Sequence, residues 1–255
     1  MARFTDKVVV ITGGAGGIGL AAGQLFADEG AQVLLVDLEE GALQAATKQI
    51  NSDKASYCVA DVTQPEQVKA YVDTAVSRYG GIDCFLNNAG IEGVVNPITD
   101  YPVEVFDKVI EVNVKGVWLG LKYVMPVMKQ GGGGSIVITS SVAGVIGSPG
   151  LSAYVTSKHA VIGIMRTASL EGAPDNIRVN TVNPSPVDTR MMRSLEEAVA
   201  PGAADQAKQS FQAGIPLQRY GSPEDVANIM AFLCSDDGSF CTGSVYMVDG
   251  GSTAS

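Results

Sequence analysis

The chain has 255 residues and carries 27 acidic against 17 basic side chains, a formal net charge of −10 at pH 7. Hydrophobic residues make up 46% and charged residues 17%, the balance of a soluble globular protein whose core needs no staples. The acidic surplus, with Lys and Arg scattered rather than clustered, argues against a nucleic-acid partner or an anionic membrane surface.

The first predicted strand, KVVVIT (7–12), runs into the glycine-rich stretch TGGAGGIG (12–19) and a helix over 17–29. The uncharged run from Val8 to Ala27, behind Arg3 and Lys7, imitates a signal peptide or a membrane span. Glycines at 13, 14, 16, 17, 19 and 23 interrupt it, so a cytoplasmic protein is expected. Further strands are expected at AQVLLVD (31–37), ASYCVAD (55–61), IDCFLNN (82–88), SIVITS (135–140), IRVNTVN (177–183) and SVYMVDG (244–250). These runs are continuously apolar rather than alternating, as in parallel strands covered on both faces. Helical patterns lie between them at 65–79, 103–129, 152–171 and 223–234. The alternation predicts an α/β fold: a single-domain Rossmann-type doubly wound parallel sheet of about seven strands, flanked by helices on both faces.

No linker divides the chain, and Gly131–Gly134 reads as a flexible turn. The longest irregular stretch, about 183–222, holds MMRSLEEAV and ADQAKQSFQAG, two short potential helices. An insertion there is where a substrate lid would sit. The cysteines, Cys58, Cys84, Cys234 and Cys241, form no C-x-x-C pair, and His159 is the single histidine, so no metal site is expected. The cysteines read as buried small hydrophobes in a reducing compartment.

The glycine stretch directly follows a strand and opens a helix, where free backbone N–H groups and the positive dipole end suit a pyrophosphate. Two glycine patterns overlap in it, 14-16-19 and 13-17-19. Asp37 ends the second strand at roughly the distance, about 20 residues, at which a dinucleotide site places a carboxylate on the adenosine ribose. Leu38, Glu39 and Glu40 follow, so a 2′-phosphate would meet acids and no base; NAD is expected rather than NADP.

In SAYVTSKHAVIG (152–163), Tyr154 and Lys158 stand one helical turn apart and share a face. A free phenol titrates near 10, too high for a base at neutral pH. A neighbouring ammonium favours the phenolate, and oxidised nicotinamide adds positive charge, so Tyr154 is expected to have a lowered pKa. His159 reads as a packing or surface residue.

TGGAGGIG, NNAG (87–90), Asn113 in VNVKG, the pair Ser140–Ser141, YVTSK (154–158), GSPEDVA (221–227) and VDGG (248–251) fall in one order along the chain. In that order the chain resembles the short-chain dehydrogenases/reductases over essentially its whole length. The segment NNAGIEG (87–93) further resembles reductases of cyclic diketones within that family. The resemblance implies a catalytic set of Asn113, Ser141, Tyr154 and Lys158. Ser141 would bond the substrate oxygen, and Asn113 would hold a relay water that links Lys158 to solvent. Lys158 would also hold the nicotinamide ribose. It implies cofactor contacts from Gly13, Gly17, Ile18, Gly19, Asp37 and Leu38, from Asp61 and Val62 beside the adenine, and from Asn88, Ala89 and Gly90 behind the ribose. Pro184, Val187 and Thr189 would meet the carboxamide end. The family usually has Pro-Gly after the sixth strand. Here NPSPVDT (183–189) has Ser185 at the glycine position, which bears on the path of that loop.

The expected pocket wall is Val142, Ala143, Leu151, Val187, Met191, Met192 and Leu195, largely apolar and adaptable at its methionines. It favours a cyclic or aryl secondary alcohol, or the matching ketone, over a sugar. Glu92, after the NNAG turn, either grips a hydroxyl or amine of the substrate or is a solvated loop acid. Two other readings stand beside this one: an NAD-dependent sugar dehydrogenase, and a catalytically silent NAD-binding regulator, which would normally have lost Ser141, Tyr154 or Lys158. A ketoacyl-carrier-protein reductase is opposed by Asp37 and by the acidic charge. The family also implies a homotetramer built across two-fold axes, for which Val105, Val109, Val117, Leu121 and Met125 are the expected outward apolar residues.

Overall fold

Among the described residues, 2–254 of the computed structural model, seven parallel strands form one sheet. They are β1 (Val8–Thr12), β2 (Gln32–Asp37), β3 (Ala55–Val59), β4 (Cys84–Asn87), β5 (Gly134–Thr139), β6 (Ile177–Pro184) and β7 (Val245–Val248), in the order β3-β2-β1-β4-β5-β6-β7. The expected Rossmann-type sheet is therefore observed, with strand ends trimmed by a residue or two. β1, in the middle, is buried along its whole length, whereas the edge strands β3 and β7 are only half-buried, because each has a single neighbour.

Helices α1 (Gly17–Asp28), α2 (Glu40–Ile50) and α9 (Pro223–Cys234) cover one face of the sheet, and α3 (Pro65–Tyr79), α5 (Gly116–Gln130) and α6 (Ser152–Gly172) cover the other. The strands alternate between the two cores with their pleat. Val10 joins Phe85 and Ile136 under α3, α5 and α6, while Val9 and Ile11 join Leu35 and Leu86 under α1, α2 and α9. Each such side chain, buried to near completion, contributes about 1.5–3 kcal/mol. Helix α2, which the apolar pattern does not single out, buries only Leu43, Ala46 and Ile50.

Two expectations are corrected here. The predicted helix over 103–129 is interrupted: α4 (Val103–Ile110) passes through a π turn at Glu111–Lys115 before α5 begins. Three of the five residues expected to face outward from it are internal core: Val109, Val117 and Leu121 are almost wholly buried within the chain. The α4–α5 segment packs against α3 and α6 as well as the sheet, so it buries more than the one stripe a sheet face requires. Val105 and Met125 are half-buried.

The order reverses between β1 and β4: the chain leaves β1 for one face and β4 for the other. That divergence opens a crevice above the carboxyl ends of these two strands. The long insertion falls between Pro184 and Pro223 and supplies α7 (Arg190–Val199) and α8 (Ala204–Ala213) beside the crevice. No helix among the described residues is long and apolar enough to cross a membrane.

Candidate active site

A cavity of about 830 Å³ occupies the crevice. Its floor at one end is the glycine turn, in which both glycine spacings contain positions with no room for a side chain. Gly13 adopts φ +65°, and a Cβ at Gly19 would drive into the Gly13 carbonyl oxygen. A Cβ at Gly14 would likewise lie 2.8 Å from Leu35 Cβ of β2, so this position too has no room for a side chain. No side chain caps the N terminus of α1. Among the described α-helices α9 is the exception, with Ser222 and Asp225 closing its first turn in a reciprocal capping box; the other helices, like α1, start without a side-chain cap. The first turn of α1 thus keeps its N–H groups for an anionic ligand, and the residues present fit a dinucleotide pyrophosphate.

Asp37 is tied into the same turn. Its carboxylate accepts hydrogen bonds from the Ala15 amide at 3.1 Å and the Leu38 amide at 2.8 Å, and both Asp37 and Leu38 line the cavity. Asp61 and Val62 continue that wall. Burial pushes the Asp61 carboxyl up, but hydrogen bonds from Thr63 outweigh it and hold the group below its ordinary value. Val62 is backed by Gly116, which has no room for a side chain against it.

The NNAG turn is held by threonines that the motif does not point to. The Thr12 hydroxyl accepts from the amides of Asn88 at 3.0 Å and Ala89 at 3.1 Å, and the Asn88 side chain donates to the Thr12 carbonyl while accepting from Thr139. Asn88, Ala89 and Gly90 are presented to the cavity by this clamp.

The first two turns of α6 place Tyr154 and Lys158 on the cavity wall. Lys158 is 5% exposed; its Nζ donates to the Thr139 carbonyl at 2.8 Å and lies 5.4 Å from the centre of the Tyr154 ring. Burial lowers the Lys158 ammonium to about 8. The Tyr154 phenol is not acidified in the free protein. Burial pushes it up to about 12, the Ser141 hydroxyl draws it partly back down, and the charge of Glu92 pushes it up further. The downward shift expected for Tyr154 includes the positive charge of oxidised nicotinamide, which would have to offset this desolvation of the phenolate.

Ser141 opens a single 3₁₀ turn, Val142–Gly144, with its Oγ accepting from the Ala143 amide at 3.1 Å. Its neighbour Ser140 turns away and donates to the Lys158 carbonyl at 3.0 Å, which fixes the loop to α6. Asn113 sits in the π turn, a geometry that concentrates at functional positions. Its Oδ1 accepts from the Ile91 amide, and both Nδ2 hydrogens are donated, to the Ile91 carbonyl and to Ser157 Oγ. His159 lies exposed on α6 with Nδ1 against the Val155 carbonyl, outside the cavity.

Beyond Tyr154 the wall is apolar. Val142, Ala143, Leu151, Met191, Met192 and Leu195 all line it as expected, and Pro184, Val187 and Thr189 border the cofactor side. Ser185 leaves the loop path intact. Its amide donates to Val248 of β7, and Pro186 and Asp188 then pair with Gly221 in a short parallel bridge. Ile91, Val95, Ile146, Val199 and Phe211 also line the cavity. Of these, Phe211 had a signal in the sequence, a lone aromatic in an otherwise polar helix. Glu92 does not line the cavity; its influence on Tyr154 is through charge.

A family model described as enoyl-(acyl carrier protein) reductase matches residues 13–253. The chain is 39% identical over 256 residues to levodione reductase of Leifsonia aquatica, covering 99% of this chain and 96% of that one. It is 39% identical over 254 residues to cyclohexanol dehydrogenase of Acinetobacter sp. (strain SE19), covering 99% and 97%. Among solved structures, levodione reductase superposes with a TM-score of 0.97 at 38% identity, covering 99% of this chain and 100% of that one. NAD+-bound xylitol dehydrogenase superposes with a TM-score of 0.90 at 37% identity, covering 96% and 98%.

Proposed function

The chain belongs to the short-chain dehydrogenase/reductase family and is one of its oxidoreductases; from that premise we propose that it transfers a hydride between NAD(H) and a cyclic secondary alcohol or the matching ketone. The observation that carries this reading is the Tyr154 phenol, half-buried on the cavity wall beside the Ser141 hydroxyl and the Lys158 ammonium at the point where the apolar wall begins.

Gly13, Gly17, Ile18 and Gly19 would seat the pyrophosphate, Asp37 and Leu38 the adenosine ribose, and Lys158 the nicotinamide ribose. When bound, the nicotinamide accepts or gives the hydride. Ser141 holds the substrate oxygen and steadies charge on it. Tyr154 takes the hydroxyl proton in oxidation and returns it in reduction. Lys158, with the positive charge of the oxidised cofactor, brings the phenol down from its value in the free protein. The proton then leaves past Lys158 through water held at the π turn around Asn113.

The apolar wall of Val142, Leu151, Met191, Met192 and Leu195 favours a ring over a polyol, and levodione reductase and cyclohexanol dehydrogenase, both named for cyclic substrates, are consistent with that. The likeness to xylitol dehydrogenase keeps a polyol as the second reading. The test is NADH formation at alkaline pH from a panel of cyclohexanols, aryl carbinols and polyols. A kcat/KM highest for a cyclic alcohol supports the proposal. Turnover of polyols alone would replace it, and no turnover with any member, despite NAD binding, would return the chain to a silent binder.

A further inference from the structure

A dinucleotide pyrophosphate brings two negative charges, and the glycine turn at 12–19 contains no Lys or Arg to meet them. Among the described residues, the cations lining the cavity are Lys108, Lys158 and Arg190. Lys158 is committed to the Thr139 carbonyl beside Tyr154. Lys108 pairs with Glu111 at 3.7 Å and its charge is felt by Asp61, at the adenine end. Arg190 has no ion-pair or hydrogen-bond partner for its guanidinium among the described residues. One turn further along α7, Arg193 shows the opposite, lying within 4.0 Å of Asp188, Glu196 and Asp205.

The placement of Arg190 is set by the residues before it. Gly221 pairs with Pro186 and Asp188 on either side of Val187, at 3.0 Å each, so the entry to α7 is held. Thr189 then presses its methyl against the start of α1: a Cβ at Gly17 would lie 2.8 Å from Thr189 Cγ2. Arg190, the next residue and the first of α7, is exposed at the rim of the cavity next to the uncapped α1 terminus.

We propose that Arg190 is a positioning residue that pairs with the cofactor pyrophosphate and thereby ties the first turn of the α7 lid to the bound dinucleotide. The assignment rests on the reading of the chain as an NAD(H)-binding enzyme. A planar guanidinium can bond two phosphate oxygens at once, and such charge-assisted pairs are roughly twice as strong as neutral hydrogen bonds.

The test is equilibrium binding to the full chain, by fluorescence for NADH and by calorimetry for ADP-ribose, which keeps the pyrophosphate but lacks nicotinamide. Adenosine, measured by competition, serves as the phosphate-free control. Arg190→Ala should weaken NADH and ADP-ribose by about tenfold or more and leave adenosine within about twofold. It should also flatten the salt dependence of NADH binding, and Arg190→Lys should restore part of the loss. Unchanged NADH and ADP-ribose affinities in Arg190→Ala would overturn the proposal, and so would an equal loss for adenosine, which marks structural damage. An effect confined to KM for carboxylated substrates would also overturn it, since Arg190 would then be reading substrate. A wild-type chain that binds neither NADH nor ADP-ribose would overturn the cofactor reading itself, and this assignment with it.

Discussion

The Lys158 ammonium lies 5.4 Å from the centre of the Tyr154 ring and spends a 2.8 Å hydrogen bond on the Thr139 carbonyl rather than on the phenol. Lys158 would act on Tyr154 by charge across that gap, against burial that pushes the phenol up to about 12. Tyr154→Phe keeps the ring and removes the proton acceptor. Turnover of alcohol should fall about a hundredfold or more while the Kd for NADH stays within about twofold. Near wild-type NADH formation by this variant under saturating alcohol and NAD would show that Tyr154 is not the base.

Alcohol oxidation should accelerate with pH, with an apparent pKa well below 12, because a bound oxidised cofactor adds the positive charge that the free site lacks. Lys158→Ala should move that apparent pKa upward, lower kcat and raise KM for NAD together. A profile that stays put in Lys158→Ala would mean that the lysine does not tune the phenol.

The same lysine costs the free protein stability. Burial lowers it from 10.5 to about 8, so between those values the unfolded chain holds a proton that the folded chain has lost, and stability rises with pH across the window. Below about 8 the buried ammonium costs on the order of 3 kcal/mol, offset in part by its bond to Thr139. Lys158→Met should therefore raise Tm at pH 7, with a smaller gain at pH 10. Thermal melts of both proteins at the two pH values decide it; an equal gain at both counts against the buried charge.

Asp37, anchored by the Ala15 and Leu38 amides, would face any 2′-phosphate, with Glu39 also lining the cavity there. The kcat/KM for NAD should exceed that for NADP, and Asp37→Ala should erode the ratio by about tenfold or more. Equal efficiency of the wild-type protein with both cofactors would remove the carboxylate from this role.

Glu92 sits outside the cavity lining but raises the Tyr154 phenol through its charge. Glu92→Gln should shift the oxidation pH profile to lower pH, since removing a negative charge favours the phenolate, and should leave substrate KM within about twofold. A large KM change limited to hydroxylated substrates would instead make Glu92 a substrate ligand.

The large apolar residues exposed on α5 and α6 differ from those the sequence offers for an outer face. Trp118 on α5 and Leu170 on α6 are 49% and 78% exposed, unlike the buried Val109, Val117 and Leu121. A homotetramer is our reading of those outer faces, so light scattering should give about four times the 26.4 kDa chain mass. A mass near one chain would rule it out.

By itself the sequence determined what depends on local order. Apolar runs of strand length alternating with helical periods predict the doubly wound sheet, because both signals are read within one element. The glycine turn, Asp37 at the end of β2 and the Ser141, Tyr154 and Lys158 order are legible for the same reason: each needs a residue type at a place along the chain. Tertiary structure decided what depends on neighbours distant in sequence. The π turn at Asn113 and the bonds of its side chain to Ile91 and Ser157 join segments far apart in sequence. Burial raises the Tyr154 phenol in the free protein, a desolvation set by everything packed around it and not legible from the lysine one turn away. Arg190 carries no motif; it stands apart only because the fold pairs the cations around it and leaves its guanidinium beside an uncapped helix. Charge balance and solvent exclusion are sums over the folded surroundings, and no stretch of chain contains them in advance.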